Sequence, residues 1–371
     1  MTASMRESKD EAIVDQVLSF MFPPCLCSPH LYLAGVLSAY QKIDLNQPSK
    51  LTAVTLNLGL KELASCARVC QDWNDSFTPP LYNDVRVWKH GPSMESLEKN
   101  KHLIRHLSIQ GSAQGMLPSK SARVNIVSRV MASSALNTLE LWETSIGNDG
   151  VQALSEALNN NSTLTILDLR RNSIGPDGAQ ALSEALKTNS TLTSLNLRWN
   201  EIGLDGVQAL SEALKTNSTL TTLDLHRTSI GRHGAQALSE ALMTNCSMIR
   251  LDLGNNFIKC DGAQALSEAL KTNSTLTWLD LRSNLIGEIG AQALSEALKT
   301  NSRLTTLDLR DNSIGDIGAQ ALSEALKTNS TLTWFDLGDN TFGSDGSQAL
   351  SEARKANKNA CRIEVTPYDI F

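Results

Sequence analysis

The sequence predicts an α/β solenoid. It is a curved horseshoe with parallel strands on its concave side and helices on its convex side, preceded by a small helical region. Three observations predict it. A 28-residue unit recurs without insertion over residues 136–371 of the 371-residue chain, with the phrase GAQALSEALKTNSTLT repeated nearly verbatim. Within each unit, apolar residues first alternate with period two and then recur at spacings of three and four. These are the patterns of a half-buried strand and of an amphipathic helix. A single such unit cannot bury its apolar face alone, whereas stacked units share a continuous core.

The opening leucines are Leu136, Leu164, Leu192, Leu220, Leu276, Leu304 and Leu332, with Met248 in the remaining slot. In the second unit Leu167 and Leu169 alternate with polar neighbours and define the strand. Asn172 stands where the chain leaves the strand, and its amide can satisfy backbone groups that a buried turn leaves unpaired. Gly175 permits a positive φ, and Asp177 is placed to cap the helix that follows. Ala179, Leu182, Ala185 and Leu186 line one helix face. Asn189 is expected as a left-handed residue past the helix end. A glycine opens the helix in all eight units, from Gly150 to Gly346. Thr144 and Thr228 replace the turn asparagine as weaker caps, Lys259 replaces the first glycine, and Phe335 and Phe342 fill apolar slots. Strands stack about 4.8 Å apart and helices about 10 Å apart, so the array is expected to curve.

This pattern resembles the leucine-rich-repeat family, specifically its ribonuclease-inhibitor-like class, over residues 136–371. After the eight units, Ile363 and Val365 fall on leucine slots and predict a ninth strand, with VTPYDIF as a C-terminal cap. Residues 101–135 read as an irregular first repeat or N-terminal cap, with Ile104, Leu107 and Ile109 in the leucine slots of a degenerate strand.

Residues 1–100 carry a different pattern. Leu60, Leu63, Ala67, Cys70, Trp73 and Phe77 recur at helical spacing, followed by Pro79, Pro80 and an aromatic-rich strand through Tyr82, Val85, Val87 and Trp88. The segment 60–88 resembles the second half of an F-box, a helical module that docks on a Skp-type adaptor of cullin ubiquitin ligases. The resemblance implies adaptor contacts by Leu60, Leu63, Val69, Cys70 and Trp73. A matching first helix is found at 11–21 or, less well, at 49–59. If 11–21 is that helix, 22–58 is an inserted or disordered segment, or an intron read as coding sequence. The alternative for this whole region is a helical cap on the solenoid.

Function in such arrays resides on strand positions between the leucines. One slot forms an acidic column of Glu140, Asp168, Asn196, Asp224, Asp252, Asp280, Asp308 and Asp336. The slot two residues later reads Trp142, Arg170, Arg198, His226, Gly254, Arg282, Arg310 and Gly338. One reading is a solvated face of mutually offset charges, each pair contributing little. The sharper reading rests on Trp142, Trp199, Trp278 and Trp334, which occupy variable slots where packing does not demand them. Tryptophan beside arginine is the composition of a binding hot spot. The candidate partner-binding residues are therefore Trp142, Asp168, Arg170, Arg198, Trp199, Asp224, Trp278, Asp280, Arg282, Asp308, Arg310, Trp334 and Asp336.

Composition narrows the classes. A net charge of −6 disfavours a general binder of nucleic acid or anionic membrane. No apolar run approaches the roughly 18–20 residues of a membrane span, and the polar start MTASMRESKDEAIVDQV has no secretory core. Seven scattered cysteines read as a reducing compartment, cytosol or nucleus. Cys25, Cys27 and His30 lack a second ligand pair at zinc spacing, and Cys66 and Cys70 suit a helix face better than a redox pair. The recurrent N-x-S/T sequons, as at Asn189, ride on the repeat's own turn. No phosphate loop, nucleophile elbow or metalloprotease motif is present. The carboxylates of the acidic column, read as solvated and unenclosed, do not form acid–base pairs. The expectation is a monomeric, non-catalytic protein without cofactor or metal. The first function is an F-box substrate receptor, joining a ligase to a protein held on the concave face. The alternatives are a plain interaction scaffold and, from the repeat alone, a GTPase activator of the Ran type.

Overall fold

The computed structural model describes residues 84–87, 97, 99–111, 120–132, 135–357 and 361–364. The chain divides into two units, Met1–Asn74 and Asp75–Phe371, and every described residue belongs to the second. The expected helices at 11–21 and 60–77, the segment 22–58, and Val365 with the rest of the C-terminal cap lie outside the described residues.

Among its described residues, the second unit forms one open sheet of eleven parallel strands, hydrogen-bonded in chain order. The strands are β1 (Asp84–Val87), β2 (His106–Gln110), β3 (Thr138–Trp142), β4 (Ile166–Asp168), β5 (Ser194–Asn196), β6 (Thr222–Asp224), β7 (Arg250–Asp252), β8 (Trp278–Asp280), β9 (Thr306–Asp308), β10 (Trp334–Asp336) and β11 (Arg362–Glu364). After β2 comes α1 (Lys120–Met131), and α2 (Gly147–Asn159) follows β3. Helices α3 (Pro176–Thr188), α4 (Gly203–Thr216), α5 (Gly231–Leu242), α6 (Lys259–Thr272), α7 (Gly287–Thr300), α8 (Asp316–Thr328) and α9 (Ser344–Ala356) then alternate with the strands. The eight sequence units supply β3 to β10. The degenerate unit is β2, with Ile104, Leu107 and Ile109 fully buried, and Ile363 lies in the expected last strand. The strand expected around Tyr82 to Trp88 is found at Asp84–Val87, where it pairs in register with His106–Ile109 and begins the sheet.

Register follows the repeat. Each strand lies 28 residues from its neighbour throughout β3–β11, as in Leu167 opposite Leu195 and Leu279 opposite Leu307. Every leucine slot therefore stacks on the same slot of the next unit. Leu164, Leu167, Leu169, Ile174, Leu182 and Ala185 are completely buried, as are most of their equivalents. Each fully buried leucine stabilises the fold by roughly 1.5–3 kcal/mol. The helix-opening glycine serves close packing. A Cβ on Gly206 would come within 2.9 Å of Ala179 Cβ in the preceding helix. The buried helix serines return their hydroxyls to the backbone, as Ser183 Oγ donates to Ala179 O at 2.7 Å.

Two asparagine ladders hold the loops. At the end of the strand, Asn172, Asn200, Asn256, Asn284, Asn312 and Asn340 are buried. Asn200 Nδ2 donates to Leu169 O and Leu197 O, and its Oδ1 accepts from Asn172 N and Ile174 N in the preceding unit. Thr228 keeps part of this role by donating from Oγ1 to Leu225 O at 2.6 Å. The second ladder lies beyond the helix. Asn189 is extended at φ −72° rather than left-handed. Its Nδ2 donates to Leu158 O and Asn161 O, and its Oδ1 accepts from Thr191 N and Leu192 N. The expectation of a left-handed terminator fails because the buried amide satisfies the loop by side chain instead. That same amide is the would-be glycan acceptor, and it is fully used.

The first-glycine slot also departs from expectation. Gly147, Gly203, Gly231 and Gly287 have φ between 60° and 66°, but Gly175 has φ −100°. Gly315 and Gly343 share this form at φ −87° and −96° with no proline after them, and the side chain of the preceding unit accounts for it: Gly175 N donates to Asn148 Oδ1 at 2.7 Å and Gly343 N to Asp316 Oδ1 at 2.8 Å. Asp177 accordingly sits in the first turn of α3 and makes no capping bond. It acts there through the helix dipole. Lys259 occupies the positive-φ form of the slot at φ 59°. A left-handed non-glycine residue costs roughly 1–2 kcal/mol, so Lys259→Gly is expected to stabilise the array by about 1 kcal/mol. Chemical denaturation would show this, and a destabilised variant would refute it.

Candidate partner-binding face

Strand side chains that point away from the leucine core stand in three rows along the sheet. The first row, at the start of each strand, runs Thr138, Ile166, Ser194, Thr222, Arg250, Trp278, Thr306, Trp334, Arg362. The middle row is the acidic column, continued by Glu364 opposite Asp336. The third row begins with Gln110 opposite Trp142 and continues through Arg170, Arg198, His226, Gly254, Arg282, Arg310 and Gly338.

The acidic column is not solvated, contrary to the sequence reading. Asp168, Asp252, Asp280, Asp308 and Asp336 are buried, with Asp280 only 1% exposed. The reason is local. Each Oδ1 accepts the backbone N–H two residues on, as Asp280 does from Arg282 N at 2.9 Å and Asp336 from Gly338 N at 2.9 Å. The same bond runs from Arg198 N to the neutral Asn196 Oδ1 at 3.0 Å. The slot thus ends the strand by an Asx turn, and its carboxylates are held down against the sheet. The third-row arginines fold over them. Arg310 reaches Asp308 at 2.6 Å and Asp336 at 3.2 Å, Arg282 reaches Asp280 at 3.0 Å, and Arg170 pairs with Asp168. Their carboxylate partners raise the pKa of both Arg170 and Arg310.

At the centre, Gly254 leaves a gap in the arginine row. A Cβ there would lie 2.4 Å from His226 Nδ1 and 3.1 Å from Arg282 Cγ, so both neighbours lean into the space. His226 is buried and its Nδ1 lies 3.5 Å from Asp252 Oδ1. Arg282 and Arg198 approach Asp252 Oδ2 at 3.8 Å and 3.9 Å. Burial alone would raise the Asp252 pKa, but the His226 imidazole, the Gly254 N–H and Arg282 outweigh it and hold the group below the usual carboxylate range. Its neighbours go the other way. Burial and then the charge of Asp252 push Asp224 up to about 6, and burial with Asp252 and Asp308 pushes Asp280 up to about 7. Burial also raises Asp336.

The four tryptophans do not share a row. All are half-buried. Trp278 and Trp334 flank Thr306 in the first row, Trp142 heads the third row, and Trp199 lies one residue beyond that row at φ 60°. Arginines accompany three of them. Arg227 and Arg171, from the units on either side, place their guanidiniums 3.9 Å and 4.9 Å from the Trp199 ring centroid. Arg250 lies 4.3 Å from Trp278 and Arg170 lies 5.7 Å from Trp142. Sequence reasoning missed Arg171, Arg227 and Arg250. The signal was present, since each stands 28 residues from the tryptophan it meets. The adaptor residues Leu60, Leu63, Val69, Cys70 and Trp73 lie outside the described residues. Among the described residues, no three His, Cys, Asp or Glu side chains converge to hold a metal ion, and no helix is long and apolar enough to cross a membrane.

The family model described as Leucine Rich repeat matches residues 160–183, 188–211, 216–239, 272–295, 300–323 and 328–351. No curated protein matches the chain. Among solved structures, leiomodin-1 actin-binding site 2 is similar at 30% identity over 34% of this chain and 73% of that one, with a TM-score of 0.31. The tropomodulin C-terminal domain of Caenorhabditis elegans is similar at 17% identity over 49% of this chain and 93% of that one, with a TM-score of 0.34.

Proposed function

We propose that this leucine-rich-repeat protein holds a protein partner against its strand face, with Trp278 and Trp334 as anchors. The observation that supports this most is the division of labour among the three rows. The middle-row acids end strands and bind arginines, so they are already occupied. Trp278 and Trp334 are half exposed, in a slot where other units carry Thr, Ile, Ser or Arg, and they stand outside the leucine core. Arginine stacked on Trp199 and Trp278 preorganises flat, amphipathic contact surface. In this reading the chain is non-catalytic and of the ribonuclease-inhibitor-like class, which the strict 28-residue period with a helix in every unit supports. Replacing both Trp278 and Trp334 by alanine is expected to weaken capture of a purified partner at least about tenfold, with the melting temperature little changed. Unaltered affinity in that double variant would refute the assignment.

The finer reading is a substrate receptor of a Skp/cullin ubiquitin ligase, acting in the cytosol or nucleus. Its support is the F-box-like pattern from Leu60 to Trp88. In the full chain, Leu63→Asp with Trp73→Ala should abolish capture of a Skp-type adaptor and spare the strand-face partner. Failure of the folded wild-type chain to bind the adaptor would leave a scaffold without a ligase role.

A further inference from the structure

We propose a second docking surface, on the loop edge of the units that contain β7, β8 and β9, that takes a basic amphipathic helix from a partner protein. It is separate from the strand face and does not depend on the function proposed above. Four large apolar side chains stand out there. Phe257, Leu285, Ile289 and Ile317 are 56%, 52%, 57% and 53% exposed.

The repeat itself shows that these residues are not required by the fold. Phe257 and Leu285 occupy the slot between the ladder asparagine and the buried isoleucine, where other units carry Ser145, Ser173, Ser229 and Ser313. Ile289 and Ile317 occupy the slot before the helix glycine, where other units carry Asp149, Asp177, Asp205, Asp261 and Asp345. The first pair has φ 57° at both positions, a left-handed conformation that is costly for bulky residues and that returns no core burial here. Four polar-to-apolar departures therefore fall together in adjacent units.

The residues are neighbours in space. Phe257 and Leu285 lie on consecutive stacked loops, since Asn284 Oδ1 accepts from Asn256 N and Ile258 N on both sides of Phe257. Leu285 and Ile289 are one short turn apart. Glu288 Cα lies 3.3 Å from the position of a Cβ on Gly318, which brings Ile289 beside Ile317. From Ile317 the surface continues into a groove between α8 and α9, whose walls carry Glu324, Asp345 and Glu352 and one cation, Lys327, which pairs with Glu324 at 2.5 Å.

Charge identifies the occupant. The apolar patch is flanked toward the C-terminus by Glu288, Asp311, Asp316 and Asp345, and with Lys327 paired to Glu324 the groove beyond it keeps a net negative charge from Asp345 and Glu352. With units about 10 Å apart on the helix side, patch and groove together span roughly 30 Å, the length of about 20 helical residues. A helix with one apolar stripe flanked by lysine or arginine matches both the apolar patch and its acidic border. An anionic membrane or nucleic acid would meet repulsion from the same border.

The test uses the full chain and a synthetic 20-residue amphipathic peptide of leucine and lysine, read by fluorescence anisotropy. A scrambled peptide and a leucine–glutamate peptide serve as controls. The key variant restores the repeat's own residues: Phe257→Ser, Leu285→Ser, Ile289→Asp and Ile317→Asp. Each replacement already occupies the same slot elsewhere in the array, so folding is preserved. Binding of the leucine–lysine peptide should fall at least tenfold in this variant and weaken with added salt. It should survive Trp278→Ala with Trp334→Ala, which separates this site from the strand face. Equal binding of the controls, or undiminished binding by the restored variant, overturns the proposal. So does a concentration-dependent dimer that the restoration abolishes, which would assign the patch to a second copy of the chain.

Discussion

Asn284→Ala is expected to destabilise the array by about 4 kcal/mol and to split its unfolding into two transitions. Nδ2 of Asn284 donates to Leu253 O, Leu281 O and Arg282 O at 2.9, 2.9 and 3.1 Å. Its Oδ1 accepts from Asn256 N and Ile258 N at 2.9 and 3.3 Å. The site is completely buried, so water cannot replace these partners. Each orphaned buried backbone group costs roughly 1–3 kcal/mol, and partial relaxation reduces the sum. Coupling in a solenoid is between nearest neighbours, so the break falls between the fifth and sixth units and the two ends lose cooperativity. Asn284→Thr should cost about half as much, because Thr228 fills the same slot and keeps a bond to the strand-end carbonyl. Calorimetry of both variants would check this. A single transition at the wild-type temperature for the alanine variant would rule it out.

Lowering the pH from 8 to 5 is expected to raise the stability of the central strands, opposite to ordinary acid denaturation. Asp280 is held protonated up to about 7 and Asp224 up to about 6, against about 3.9 for an unfolded aspartate. Between those limits the folded chain binds more protons than the unfolded chain, so unfolding free energy falls as pH rises through the window. Above about pH 7 the full penalty of neighbouring buried carboxylates is present. Asp252 works in the opposite direction, since its pKa is lowered, and its contribution is lost only as pH falls below the usual carboxylate range. These groups titrate as a set, so the slope belongs to the column rather than to one residue. Asp280→Asn should raise stability at pH 8 by a few kcal/mol and flatten the slope, while its Oδ1 still accepts from Arg282 N. Asn196 already uses that arrangement with Arg198 N. Denaturant melts from pH 5 to 8 would decide it, and an unchanged slope in the variant would exclude the mechanism.

Both expectations depend on features of unequal legibility. The asparagine of the strand-end ladder could be read from its fixed place after the leucines, and so could its role in satisfying a buried turn. The second ladder could not. Asn189 and its equivalents stand where a helix terminator belongs, and only the stacked neighbour reveals the carbonyls that their amides reach. The acidic column is visible in the sequence as a pattern, but its environment is not. A row of aspartates between leucines looks solvent-facing until the backbone N–H two residues on is found to claim one oxygen. That the core does not need the tryptophans is legible in the sequence, whereas their division among three positions across the sheet is not.

The sequence by itself determined the strand-and-helix unit, its parallel stacking and its 28-residue register. Those follow from periodicity and from the inability of one unit to bury its own apolar face. The tertiary structure alone decided the charge state and availability of the side chains on that face. Stacking places like residues at strand spacing, and burial, arginine overlap and the gap at Gly254 then act across units rather than along the chain. It also decided that Gly175, unlike Gly203, uses no positive φ, because Asn148 of the preceding unit accepts its backbone N–H.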